Sequence, residues 1–229
     1  MQNAASYRFS RIHHALQVGS HLNVKVDTGH PVRAHFRQSV IDSACGLHVL
    51  AMVMVILGVA KRTALEQMSQ RKFGVAADVW RAFKETVFNG INAREYCELI
   101  DSLNLPLQLS LRDKCSSDVD EFALESALRG ELIALAFESV QNNQHTNHWS
   151  LCIGCDGSMN GRAATADTLL LLDPSASEQP YMAWNSRLSM PEQKRRRNAA
   201  KSIEWLYESQ DWESEPVRLI AAVRFRLTD

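Results

Sequence analysis

The sequence predicts an α+β protein in which a helical lobe packs against an antiparallel sheet. Helix-period segments fill the region from residue 45 to residue 129, while runs that read as strands gather mainly in the second half. Between Leu47 and Leu57 the chain is apolar on nearly every helical face, the mark of a helix buried in the middle of a protein. A lobe and a sheet arranged in this way leave a cleft between them, where sites tend to form.

Taken in order, residues 7–37 alternate weakly (Tyr7, Phe9, Ile12; Leu22, Val24, Val26) around Gly19-Ser20 and Thr28-Gly29-His30-Pro31. They are expected as strand or loop, so that residues 1–35 form an N-terminal extension and 36–229 the main domain. The buried helix follows from Cys45, with Gly58 as its natural C-terminal stop. Residues 62–73, 76–88 and 93–103 read as surface helices, with Val79, Trp80, Phe83 and Val87 at helical spacing in the middle one. Leu107, Leu109 and Leu111 alternate as a strand, and 118–129 reads as a helix closed by Gly130. Strands are expected at 131–137, 149–153, 169–172 and 217–227, with a glycine-containing turn region at 156–162.

Composition narrows the functional classes. The 229 residues are 45% apolar and 22% charged with a formal net charge of -1. No basic bias of the kind that holds nucleic acid is present, and no acidic excess of the kind that keeps a chain unfolded. The longest apolar run is broken by His48 and is too short to span a bilayer, and the N-terminus lacks the apolar core of a secretory signal. A cytoplasmic protein without a membrane segment is expected. Five cysteines (45, 97, 115, 152, 155) are an odd count in a chain large enough to fold without staples, which points to reduced thiols.

One of those thiols sits where chemistry is easy. Cys45-Gly46 opens the buried helix, and a thiol in a helix's first turn meets the positive end of the dipole and free amides, which favour thiolate. A buried Cys is also commonly a small apolar filler, and the other four cysteines read that way. Gly46 leaves room for a substrate backbone. A cysteine nucleophile needs a base, and the base needs an orienting group. His148 stands at the head of the strand at 149–153, and Asp173 at the end of the strand at 169–172. If those strands pair, both reach the same edge of the sheet, where Asp173 can accept the imidazole Nδ1–H. His145 is the rival to His148 but falls in a polar loop. His13, His14, His21, His30 and His35 are expected at the surface, and His48 as a satisfied core residue. For the oxyanion, the Cys45 backbone N–H and the Gln38 side-chain amide are the candidate donors.

Gln38, then Cys45-Gly46 with Leu50-Ala51-Met52 and Gly58, then His148-Trp149 and Asp173-Pro174, together resemble the bacteriocin-processing peptidases that remove double-glycine leaders. Over residues 36–180 that resemblance implies a papain-like fold with Cys45, His148 and Asp173 as triad and Gln38 in the oxyanion hole. The chain departs from the family pattern at Ala44, where an Asp is usual, and Gln38 lies one residue farther from the cysteine. The implied function is a cysteine peptidase acting on a peptide or protein substrate through an acyl-enzyme, with no cofactor.

Three other readings compete. The same triad serves deamidation, acyl transfer or removal of a protein modifier, and a peptidase-like fold can act as a non-enzymatic binding module. His145, His148, Cys152 and Cys155 have spacings that resemble a zinc site, although Cys152 and Cys155, three apart in a strand, are expected on opposite faces. The basic run Lys194 to Arg197 is a solvated helix face or a contact for an acidic partner, and it precedes a helix-like segment, 198–207, with Trp205 and Trp212 packing this region onto the core.

Overall fold

The structure is a computed structural model that describes residues 6–25, 30–39, 42–141, 148–191, 203–211 and 213–228. The buried helix forms where its apolar run begins: α1 spans Cys45–Ile56, and Val49 through Met54 are all 0% exposed. No polar face remains, so this helix is held by packing on every side rather than by one amphipathic stripe. Leu57 closes it, and Gly58 takes the positive φ (72°) that turns the chain away.

Around α1 lie shorter helices. α2 (Arg62–Glu66), α3 (Val75–Phe83) and α4 (Thr86–Asn89) replace the two longer helices expected, with a break at Lys84-Glu85. α5 (Ala93–Ser102) starts at Asn92, whose side chain caps the amides of Arg94 and Glu95. α6 (Val119–Leu128) falls where its amphipathic pattern put it.

The expected papain-like architecture, with a helical lobe packed on an antiparallel sheet, is not what the chain builds. Its sheet closes into a six-stranded antiparallel barrel. Before the helices come β1 (Ser6–Ile12) and a small separate sheet of β2 (Leu16–Val18), β3 (Leu22–Val24) and β4 (Val32–Arg33). After α5 come β5 (Leu107–Asp113) and then, beyond α6, β6 (Leu132–Ser139), β7 (His148–Asn160), β8 (Ala163–Leu172), β9 (Ser186–Ser189), β10 (Glu204–Ser209) and β11 (Glu215–Leu227). The last six pair in the cycle β6-β7-β8-β9-β10-β11-β6. β1 lies along the far half of β7 and β5 along the end of β11, so residues ahead of 36 are built into the main sheet.

The difference has a specific physical reason. Ser186–Ser189 and Glu204–Ser209 are short and polar enough to lack a strand signature, and Glu204–Ser209 overlaps the end of the helix-like segment. Without those two strands the sheet reads as open; with them its edges meet. Register shifts in the β7–β8 pair and in β11 between Leu219 and Ala221 add the curvature that closure needs. The expected turn at 156–162 is strand up to Asn160. Glycines in this strand serve close approach, because a Cβ on Gly154 would collide with the Arg11 carbonyl oxygen and one on Gly157 with that of Thr165.

Closure gives the protein two cores. The barrel interior holds Ile133, Leu135, Phe137, Leu169, Leu171, Leu188, Trp205 and Val217, with residues of α6 joining them. The outer face of β6, β7 and β11 (Ala134, Trp149, Leu151, Ile153, Val223) packs instead under α1, α3 and α5. Trp205 is thus a core residue, as expected, but on a strand, and its indole N–H donates to Asp120 at 2.7 Å.

Candidate active site

α1 begins at the floor of a cleft of about 760 Å³ whose walls include Gln38, Asp42, Asn89, Gly90, Ile91 and His148. Cys45 is the first helical residue, only 6% exposed, and its Sγ lies 3.9 Å from the Ser43 carbonyl oxygen. Gly46 has a role other than the one expected: a Cβ there would stand 2.9 Å from Ile91 Cγ2, so the glycine lets the cleft wall close on α1 rather than making room for substrate.

His148 is the first residue of β7, with its side chain 26% exposed, and it lines the same cleft as Cys45, whose thiol is among the groups that raise its proton affinity. Leu172, the last residue of β8, pairs with Leu151, and this register carries the next residue, Asp173, back beside His148. His148 Nε2 lies 2.8 Å from both carboxylate oxygens of Asp173. The expectation that Nδ1 would face Asp173 is corrected: Nε2 does, which leaves Nδ1 for the thiol.

Electrostatics favour a charged His148. Burial disfavours the imidazolium, yet the charge and hydrogen bond of Asp173, with help from Cys45, outweigh it and raise His148 to about 10. Asp173 is 0% exposed, and burial alone would neutralise it. Its oxygens instead accept from His148, Ser150 Oγ (2.9 Å), Ser175 N and Oγ (2.7 and 2.6 Å) and Tyr207 OH (2.8 Å). Those donors, with the His148 charge, hold its carboxyl well below the usual range. Tyr207, on β10, is pushed upward by burial and by the Asp173 charge, and so remains a phenol that donates.

The far wall is fixed through Trp149, the residue after His148. Its indole N–H donates to the Ile91 carbonyl at 3.0 Å, and its ring stacks on Tyr96 at 4.7 Å. Gln38 lines the same cleft, its backbone N–H donating to Pro174 O at 2.9 Å and its Oε1 buried without a hydrogen-bond partner among the described residues.

The structure brings Cys45, His148 and Gln38 to one cleft, with Asp173 buried behind His148 and bonded to it. It separates the zinc candidates: Cys152 and Cys155 both face the barrel interior, contrary to the expected opposite faces, because the register shift after Cys152 resets the alternation. His148 faces the cleft, and His145 lies outside the described residues. The basic run Lys194 to Arg197 and Trp212 also lie outside them. No group of three or more His, Cys, Asp and Glu suited to a metal occurs among the described residues.

Other histidines differ from expectation. His13 and His35 are buried (5% and 4% exposed), and His48 is half-buried with Nδ1 unpartnered among the described residues. Burial pushes His35 below its usual value. No sequence signal placed His35, Ser175, Asn185 or Tyr207 around Asp173, since each becomes a neighbour only through tertiary packing. Ser150 alone had a signal, as the one polar residue inside an apolar strand.

No protein-family model matches the chain, and no curated protein matches it. Among solved structures, EndoMS in its apo form aligns over 53% of this chain and 55% of its own, at 12% identity and a TM-score of 0.23. The match spans about half of that chain, and a likeness of this depth carries no argument. No helix among the described residues is long and apolar enough to cross a membrane.

Proposed function

We propose that the chain is a thiol hydrolase, a cysteine peptidase acting on peptide or protein amides through Cys45, His148 and Asp173. One observation carries the reading: a thiol at the start of a buried helix meets a histidine whose opposite ring nitrogen is anchored on a fully buried carboxylate. That is the arrangement nucleophilic catalysis requires, with nucleophile, base and orienting group in sequence.

In this reading the proton resides on His148 and the charge on Cys45, as an ion pair facing the cleft. The thiolate attacks the substrate carbonyl carbon, and negative charge moves to the carbonyl oxygen. The Cys45 backbone N–H and the Gln38 side-chain amide are the donors assigned to that oxygen. His148 Nδ1 then gives its proton to the leaving amine, and a thioester to Cys45 remains. Water, deprotonated by His148, attacks the thioester carbonyl and releases the acid and the thiol. Asp173 stays ionised throughout and holds the ring through Nε2. All five cysteines are unpaired, which supports a reducing, cytoplasmic setting.

The test is selective alkylation. At pH 6 a small alkylating reagent is expected to label Cys45 well ahead of Cys115, which is exposed but has no histidine partner among the described residues. His148→Ala removes the advantage. Equal labelling of the two thiols at pH 6 in the unaltered protein sinks the proposal. A Cys45→Ala variant used to capture bound peptides then identifies the substrate.

A further inference from the structure

Asn185 stands between β8 and β9, 1% exposed, and lies outside the set of residues assigned to the site. Its side chain grips the backbone that carries Asp173. Oδ1 accepts the Asp173 N–H at 2.7 Å, and Nδ2 donates to the Asp173 carbonyl at 2.8 Å and to the Ala176 carbonyl at 3.0 Å. The Asp173 carbonyl takes two further donors, the Ala176 N–H at 3.2 Å and His35 Nε2 at 2.8 Å, the latter from a histidine that is 4% exposed. With Nε2–H donating there, the His35 ring is neutral or charged but never the acceptor at that atom.

The held turn, 173–176, serves both halves of the proposed machinery. From Asp173 the carboxylate reaches His148 Nε2, and Ser175 bonds back to the same carboxylate. From the next residue the Pro174 carbonyl accepts the Gln38 N–H, tying the candidate oxyanion donor to the same turn. The turn is closed from within by the Ala176 N–H on the Asp173 carbonyl at 3.2 Å, with Pro174 presetting φ at its second position. Asn185 adds a clamp from outside the turn, through one amide that matches a donor and two acceptors.

We propose that Asn185 is a positioning residue for the active site: by fixing the turn 173–176 it sets the orientation of the His148 base and the place of Gln38 together. This rests on the Cys45–His148 reading and assigns a role to a residue outside the triad. All three backbone groups that its side chain holds belong to this single turn, and its other polar neighbour, His35 Nε2 at 3.3 Å, donates to the same turn. Its loss therefore falls on the site before it falls on the fold.

The experiment is the pH profile of Cys45 alkylation by iodoacetamide, measured on the full chain as wild type, Asn185→Ala and Asn185→Asp. Wild type is expected to retain rapid labelling near pH 6, the acid limb of the profile, and Asn185→Ala to slow there about tenfold or more while matching wild type at about pH 9.5. Asn185→Asp conserves volume and the acceptor for the Asp173 N–H but loses the donors, and is expected to fall between the two. Near-UV circular dichroism establishes that each variant is folded. Folded variants with the wild-type acid limb overturn the positioning role, and so does failure of both variants to fold, which would make Asn185 a determinant of the fold. A wild type lacking the acid limb defeats the thiolate reading itself, an outcome distinct from either of these.

Discussion

β7 borders two environments for a thiol, and the contrast between them explains why one cysteine is suited to chemistry. On the barrel side, Cys152 and Cys155 are fully buried among Leu169, Leu171 and Trp205. Burial raises them to about 12 and about 11, and Cys152 spends its S–H on the Gly154 carbonyl at 3.3 Å. On the cleft side, the first residue of the same strand, His148, carries a raised proton affinity and meets Cys45 at the start of α1. Sulfur in the barrel is apolar packing; sulfur in the cleft has a partner able to take its proton. Placement relative to a charged partner, rather than burial, thus separates the barrel thiols from the proposed nucleophile, since Cys45 is itself nearly buried.

The largest expected effect tests that division directly. If the proposed function holds, Cys45→Ala is expected to abolish turnover of a peptide substrate and to leave the circular dichroism spectrum unchanged, whereas Cys155→Ala is expected to leave turnover within about twofold and to cost about 1 kcal/mol of stability through a small cavity. Comparable activity loss in both variants would break the comparison. Next comes the buried carboxylate. Asp173→Ala leaves His148, Ser150, Ser175 and Tyr207 without their acceptor, and the expected loss is about 3–5 kcal/mol in denaturant unfolding. A smaller step is Tyr207→Phe, which removes one of those donors from the barrel side and is expected to cost about 1 kcal/mol. In the same variant the acid limb of Cys45 labelling is expected to retreat only slightly.

The pH dependence of stability offers a separate check on the pair. His148, raised from 6.5 to about 10, contributes stability that is fully present below pH 6.5 and is lost as the pH climbs through about 10. Asp173, lowered from 3.8, contributes stability that is present above pH 3.8 and is lost as the pH falls through its depressed value. The pair therefore contributes in full between pH 3.8 and 6.5. A plot of thermal midpoint against pH is expected to be flattest in that window, and His148→Ala is expected to remove the alkaline decline. A decline that persists in the variant assigns it to other groups.

Much of the site was legible because its signals are local. A cysteine opening an all-apolar helix, a histidine heading a strand and an Asp-Pro ending the next strand are each visible within a few residues, and strand pairing at the expected neighbours brings the last two together. α5, α6 and β5 were legible for the same reason, since short-range periodicity marks each of them. The barrel was not, because closure depends on β9 and β10, whose sequences SRLS and EWLYES carry too little apolar alternation to show which edges they join. The burial of His35 and the grip of Asn185 were equally invisible, for they are contacts across 138 and 12 positions of sequence that no local pattern encodes.

The sequence by itself determined the buried helix that Cys45 opens and the positions of His148 at the head of one strand and Asp173 at the end of the next. Tertiary structure alone decided that the sheet closes, that Cys152 and Cys155 share its interior, which imidazole nitrogen meets Asp173, and which side chains hold the turn at 173. The physical reason is range. Helical periodicity, capping and turn chemistry act over a few residues, whereas sheet closure and the satisfaction of a buried carboxylate are settled by groups that only the folded chain brings within hydrogen-bond distance.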